Sequence, residues 1–311
     1  MTPSAFDPHG PAAHHTAQLA VVLFVMAGVV WLVVTVLIVF GGRSGRRANL
    51  FGSRDGTFIA VGGVVLPSAV LAVVAVLTIH YTRVLHPTDP PAGTLHVDVV
   101  GYRWWWDVQY PDLGIRAANE INVPVGSTVD ITLTSADVVH SFWVPQLAGK
   151  VDAIPGDTNR LRLVAEDPGA YWGPCAEFCG LQHSNMAIQI VARTPDDFAT
   201  WVRAHDDNAT SARAAADPAR VERGRAVFRA QPCGGCHRVA GTDAAGFVGP
   251  DLSDIGSRLE LGAGVLENDA ESMTRWIRDA PAEKPGAQMP SFALSADDLA
   301  ALVAYLQSLD G

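Results

Sequence analysis

The sequence predicts a multidomain chain: an N-terminal two-helix transmembrane hairpin, a β sandwich, and a small all-α domain at the C-terminal end. Three observations carry this. Two long uncharged apolar runs lie within the first 81 residues, short alternating apolar and polar runs fill 91–205, and a helical period takes over from Ala219. The expected boundaries are an outward-facing segment 1–16, the hairpin 17–90, the β domain 91–205, a linker 206–218 and the α domain 219–311.

The hairpin comes first. With 49% hydrophobic residues and a mean hydropathy of +0.18, the chain is too apolar for an ordinary soluble protein of its size. The runs "AQLAVVLFVMAGVVWLVVTVLIVF" (17–40) and "TFIAVGGVVLPSAVLAVVAVLTIHY" (57–81) are each long enough to span a bilayer, which takes roughly 20 residues. A cleaved signal peptide is the other reading of the first run, but that needs a basic start and a short apolar stretch. Here Asp7 precedes it and no Lys or Arg does, so a retained helix is favoured. The intervening loop carries Arg43, Arg46, Arg47 and Arg54, and short basic loops stay cytoplasmic. Both termini, and everything after about residue 82, are therefore expected on the outer face, periplasmic in a bacterium with two membranes. That compartment is oxidising.

After the connector "HPTDPPAGT", the runs "LHVDVVGYRWWWDVQY", "NEINVPVGSTVDITLTS", "HSFWVPQLAGKVDAIPG", "TNRLRLVAEDPGAYW" and "MAIQIVART" are bounded by Pro, Gly and Asp. They predict an antiparallel sandwich or barrel. "TPDDFATWVRAHDD" predicts a short closing helix and "NATSARAAADPAR" a linker. Beyond it, "ARVERGRAVFRAQ", "ESMTRWIRDA" and "SADDLAALVAYLQSL" predict helices, with Ser295 capping the last. Net charge is −10. Residues 91–205 hold 7 basic against 13 acidic side chains and 219–311 hold 9 against 13, so nucleic acid is excluded as a partner.

Four cysteines in an oxidising compartment suggest two disulfides, but spacings of C-x3-C and C-x2-C are too local to staple a fold, and metal or cofactor duty reads better. In "YWGPCAEFCGLQHSNMAI", thiolate, imidazole and thioether donors select copper over hard cations. A single blue copper uses one Cys, whereas Cys175 and Cys179 are two, able to bridge a pair of copper ions. His183 and the upstream His140, in "DVVHSFWVP", then supply one nitrogen each, and Met186 a weak ligand. A Cys2His2 zinc site and a Cys175–Cys179 disulfide remain open alternatives, though neither has a use for Met186.

"CGGCH" is the second cluster. Cysteines at this spacing form thioethers to haem vinyl groups while the next histidine binds iron, which assigns Cys233, Cys236 and His237. A thioredoxin-like motif is the alternative, but it needs a βαβ setting and no histidine. For the sixth ligand, Met273 sits in an amphipathic helix and Met289 in the irregular "KPGAQMPSF". A side chain on such a loop can be aimed at a metal, so Met289 is preferred.

"HSFWVP", "VDAIPG", "CAEFCGLQHSNM" and "GYRWWWDVQY" together resemble cytochrome c oxidase subunit II over roughly residues 15–205. The resemblance implies a cupredoxin-like Greek-key β sandwich with a mixed-valence dinuclear copper A centre on Cys175, Cys179, His140, His183 and Met186, and the carbonyl of Glu177 as a further ligand. It implies a magnesium ion near the Glu177 carboxylate, at the junction with the catalytic subunit, and electron uptake through Trp104; Trp105 and Trp106 read equally well as packing residues. Many members carry a glutamate about seven residues before the proline of the second helix. Counting back from Pro67 gives Ala60, so proton uptake falls to other subunits or to His80. Residues 219–311 resemble class I cytochrome c, which implies covalent haem c, Met289 as axial ligand, and the carbonyl of Pro250 accepting from the His237 ring.

Together these imply the electron-receiving subunit of a caa-type haem-copper oxidase in the bacterial inner membrane. Its partners would be subunit I, where oxygen is reduced to water with proton translocation, other oxidase subunits, and an upstream donor, either a cytochrome c or a quinol–cytochrome c reductase complex. A copper A subunit of a nitric oxide reductase is the alternative, and a copper-delivery protein a weaker one. The linker of about 13 residues, with a reach near 20 Å if flexible, is expected to let the haem dock and leave.

Overall fold

The computed structural model describes residues 4–43, 55–85, 90–205 and 217–310. Arg46, Arg47 and Arg54, part of the connector, and residues 206–216 of the expected linker lie outside them. Two compact units result, His14–Asp89 and the remainder.

Pro11, whose fixed φ suits a first helical position, opens α1 (Pro11–Arg43). The second span is α2 (Asp55–Ala60), a π-helical turn (Val61–Val65) and α3 (Leu66–Leu85). The π turn falls where Pro67 would otherwise meet the carbonyl four residues back. Both spans are long and apolar enough to cross a membrane, and both extend beyond the expected 17–40 and 57–81.

The β domain begins with β1 (Leu95–Tyr102), β2 (Trp105–Tyr110), β3 (Ile115–Ala118), β4 (Glu120–Pro124) and β5 (Val129–Ser135). It continues with β6 (His140–Phe142), β7 (Val151–Ala153), β8 (Asn159–Leu163), β9 (Gly169–Pro174) and β10 (Ala187–Arg193). A five-stranded sheet, β3-β2-β1-β5-β8, faces a three-stranded one, β4-β10-β9, while β6 and β7 pair alone. Val97 and Val99 of β1, Ile131 and Leu133 of β5, Ile121 of β4 and Ile190 of β10 fill the space between, all fully buried. Tyr110 ties β2 to β4: its hydroxyl accepts from Asn122 N at 2.7 Å and donates to Asn122 O at 3.1 Å.

The expectation of an antiparallel sandwich needs correcting. β1 pairs with β5, and β4 with β10, in parallel. Alternation along a strand says which face is buried but not which neighbour it finds, and each parallel pair is joined by a crossover through intervening strands. β3, outside the runs quoted above, is an edge strand of four residues.

Thr194 caps the closing helix α4 (Pro195–Ala204), accepting from Asp197 N. The C-terminal domain holds α5 (Pro218–Ala230), α6 (Cys233–Cys236), α7 (Ala270–Arg278), α8 (Ala280–Glu283) and α9 (Ala296–Gln307). Ser295 caps α9 by accepting from Asp298 N. The domain is not purely helical, because β11 (Glu260–Leu261) and β12 (Leu266–Glu267) form a two-residue hairpin. α5 crosses α9 at Gly224, where an added Cβ would collide with the Ala301 carbonyl and lie 2.7 Å from Tyr305 Cβ. Gly224→Ala is therefore expected to destabilise this domain by about 3 kcal/mol, the upper range for overpacking. Calorimetry should show unfolding of this domain at a lower temperature.

Candidate metal and haem sites

The β9–β10 loop, residues 175–186, is closed at its neck by Cys175 N donating to Met186 O at 2.8 Å, and Ala176 N donates to Ser141 O at 2.9 Å. These bonds bring the loop against His140, the first residue of β6. Gly101 of β1 makes room for that imidazole: a Cβ there would lie 2.7 Å from His140 Cδ2. His140, Cys175, Cys179 and Met186 are all buried, at 4% exposure or less.

The donor atoms converge in pairs. Cys175 Sγ lies 3.8 Å from Cys179 Sγ, 4.0 Å from His140 Nδ1 and 3.3 Å from the Glu177 carbonyl oxygen. Cys179 Sγ lies 3.7 Å from His183 Nδ1 and 3.8 Å from Met186 Sδ. Two donors on one ion sit about 3–4 Å apart, given bonds of roughly 2.0–2.3 Å. Each of these pairs fits that spacing; the donor atoms of His140, Cys175 and Cys179 all lie within 4.8 Å of one another, and the His183 nitrogen stands outside that group. The four strong donors thus do not surround one point, as a tetrahedral zinc site requires, and both cysteines are free thiols. The contact between the thiols splits their acidities: it holds Cys175 well below the usual thiol range and pushes Cys179 up. Metal binding would take the remaining thiol proton from Cys179.

Asp137 was not singled out in the sequence, yet it orients the site. Its Oδ1 is 2.9 Å from His140 Nε2, which turns Nδ1 toward the sulfur, and Oδ2 accepts from Arg103 N at 2.8 Å. Burial opposes ionisation of this carboxyl, but these hydrogen bonds outweigh it and hold the group below its ordinary value. Asp137→Ala is expected to lower copper affinity about 10- to 100-fold, as loss of a ligand-orienting partner does. Retained copper per chain after dialysis against a chelator would measure it.

The three tryptophans separate. Trp106 is core, edge-on to His140 and Phe142. Trp105 stacks on Tyr102 with ring centroids 4.7 Å apart. Trp104 alone reaches the loop, donating from Nε1 to Cys179 O at 2.9 Å. The Glu177 carboxylate points away from the thiols, 3.7 Å from Lys150 Nζ and 46% exposed.

In the C-terminal domain, α6 presents Cys233 and Cys236 as free thiols. His237 follows at once, its N donating to Cys233 O at 2.9 Å. His237 Nδ1 donates to Pro250 O at 2.7 Å, leaving Nε2 for a metal. Burial lowers the pKa of this imidazole, favouring the neutral form that ligation needs. Gly249 packs under the ring, where a Cβ would be 2.6 Å from Cε1. A cavity of about 360 Å³ opens beside it, lined by Cys233, Cys236, His237, Met273 and Met289. A thioether-linked haem with one imidazole and one thioether axial ligand fits this donor set. Both methionines reach the wall, but Met273 is 2% exposed within the helical core, whereas Met289 is half-buried on its loop.

Trp104 and Trp105 line the same cavity from the β domain. Lys284, which sequence reasoning passed over, lines it too and donates to Trp104 O. The available signal was rarity, since the chain has only two lysines.

Residues 113–193 match the family model described as cytochrome c oxidase subunit II, periplasmic domain, and residues 221–310 match that of cytochrome c. The chain is 34% identical to cytochrome c oxidase subunit 2 of Alkalihalophilus pseudofirmus, covering 98% of this chain and 90% of that one. With cytochrome c oxidase subunit 2 of Bacillus sp. (strain PS3) the identity is 32%, covering 79% and 72%. A crystal structure of the periplasmic domain of subunit II of cytochrome oxidase from Bradyrhizobium japonicum aligns with a TM-score of 0.35 at 33% identity, over 37% of this chain and 95% of that one.

Proposed function

Because the chain belongs to the cytochrome c oxidase subunit 2 family and carries a fused cytochrome c domain, we propose that it receives electrons for a haem-copper terminal oxidase at a haem built into its own length. Cys233 and Cys236 would hold haem c covalently, with His237 and Met289 on its iron. Cys175 and Cys179 would bridge two copper ions, His140 and His183 would each bind one, and Met186 and the Glu177 carbonyl would be weaker ligands. When bound, these groups supply reversible one-electron transfer, and His/Met ligation sets a relatively high haem potential.

The chain's own residues do the rest. Burial of His140, Cys175, Cys179 and Met186 excludes water from the sulfur pair. Asp137 and the Pro250 carbonyl each fix an imidazole so that the correct nitrogen faces the metal. Trp104 lines the cavity beside His237 and donates from Nε1 to the Cys179 carbonyl, so one residue touches both sites.

The two apolar helices would anchor the chain in the inner membrane with both metal domains outside. Oxygen reduction would lie on subunit I, and with alanine at position 60 proton uptake would fall to other subunits or to His80. The exposed Glu177 carboxylate is available to a magnesium ion at that junction. The names of the relatives favour oxygen over nitric oxide as acceptor.

The observation that carries this reading is the buried thiol pair, each sulfur with its own imidazole at 3.7–4.0 Å. Electron paramagnetic resonance of the purified oxidase tests it. Hyperfine structure from two equivalent coppers is the expected result, and a mononuclear pattern would overturn it.

A further inference from the structure

The C-terminal domain is bonded to the metal-loop end of the β domain through groups that have no water to fall back on. Lys284 is 4% exposed; its Nζ donates to Trp104 O across the seam at 2.8 Å and to Gly262 O of its own domain at 2.6 Å. Glu120 and Gln182, both 5% exposed, face the other way. Glu120 Oε2 accepts from Leu259 N at 3.1 Å, and Gln182 Nε2 donates to Pro285 O at 2.8 Å. Ala187 N donates to Ala263 O at 2.9 Å, a main-chain bond that carries the start of β10 across the seam.

Two glycines with positive φ allow the approach. At Gly264 (φ +89) a Cβ would lie 2.8 Å from Ala187 Cβ, and at Gly286 (φ +91) it would lie 3.1 Å from Trp104 Cζ3. The indole edge opposite Nε1 therefore lies against main chain. Encounters between electron carriers that must part quickly use small interfaces. Here Lys284, Glu120 and Gln182 each hold one partner in their own domain and one across the seam, and parting would cost each buried group its cross-seam bond.

We propose that the cytochrome c domain is a fixed cap on the copper face of the β domain, keyed by Lys284 and Glu120, and that a diffusible donor meets the haem domain and never the Trp104 face. This replaces the dock-and-leave behaviour that the linker alone suggests. The consequence for donors rests on the electron-transfer reading above; the cap itself does not.

The chain's two lysines give a clean test. In the full chain purified free of the other subunits, timed acetylation read by mass spectrometry should modify Lys150, which is 50% exposed, at least about tenfold faster than Lys284, because a buried amine reacts only on local opening. Protonation of Lys284 does not account for slow labelling, since burial lowers its pKa to about 7 and leaves much of it as the free amine near neutral pH. A second chain, Glu120→Arg, should split the seam and bring Lys284 to within about threefold of Lys150, with haem absorbance and the copper signal showing both domains folded. Comparable rates in the unaltered chain, or continued protection in that variant, would overturn the cap. Separately, electron transfer from haem to copper after a light pulse should keep its rate as glycerol raises viscosity; slowing in proportion would mean a tethered, mobile domain. The labelling needs no electron transfer, so a failed function and a failed cap give different results.

Discussion

Cys175→Ser is expected to erase the two-copper resonance and to lower oxidase turnover by at least about 100-fold, beyond the 10- to 100-fold typical of losing a ligand-orienting partner. The physical reason is that each sulfur serves both sides of the pair. Cys175 Sγ faces His140 Nδ1, the Glu177 carbonyl and Cys179 Sγ, so its removal leaves His140 without a thiolate neighbour and Cys179 without the charge it shares. A serine hydroxyl is a hard and weakly acidic donor that does not replace a thiolate on copper. The β domain should remain folded, because serine is close to cysteine in size and Cys175 is one residue of a large core filled mainly by aliphatic and aromatic side chains. Unchanged far-ultraviolet circular dichroism with copper reduced to one or none per chain is the expected pair of readings. A full two-copper signal in this variant would refute the bridging role.

Met289→Ala is expected to lower the haem potential by on the order of 100 mV, a modest part of the ~0.8 V that axial ligands command, and to slow turnover while the copper signal persists. The matching change Met273→Ala separates ligand from core. Met273 is 2% exposed on α7 within the helical core, so its truncation should cost about 2–5 kcal/mol of stability and leave the haem potential near its original value. Redox titration and thermal unfolding of the two variants decide the assignment. A potential that falls only in the Met273 variant would reverse it. Full turnover from an external donor in the Met289 variant would show electrons bypassing the haem.

Several features were legible because they depend on short-range chemistry. "CGGCH" places two thiols and an imidazole within one turn, whatever the rest of the chain does, and the structure finds them on α6 and its cap. Cys175, Cys179, His183 and Met186 share one loop, and only His140 comes from elsewhere, at a strand end. The spans at 17–40 and 57–81 follow from hydropathy and length. Ser295 and Thr194 as caps follow from residue type and position.

What failed was long-range. The parallel pairing of β1 with β5 left no trace in an alternation that both orientations share. Asp137 is three residues from His140, but nothing in "DVVH" says that its carboxylate turns back to the ring rather than out to water.

The sequence by itself determined which donor groups the chain carries and where: soft donors at ligand spacing, a C-x2-C-H motif, two apolar runs long enough to cross a membrane and the periodicities of two folded domains. These are local properties, set by covalent spacing and by which face of an element is apolar. Only the tertiary structure decided that Trp104 lies between the 175–186 loop and the cavity beside His237, that Lys284 donates to the Trp104 carbonyl from 180 residues away, and that the two domains share a buried seam. Contacts at that separation depend on how whole faces pack, which no window of sequence contains.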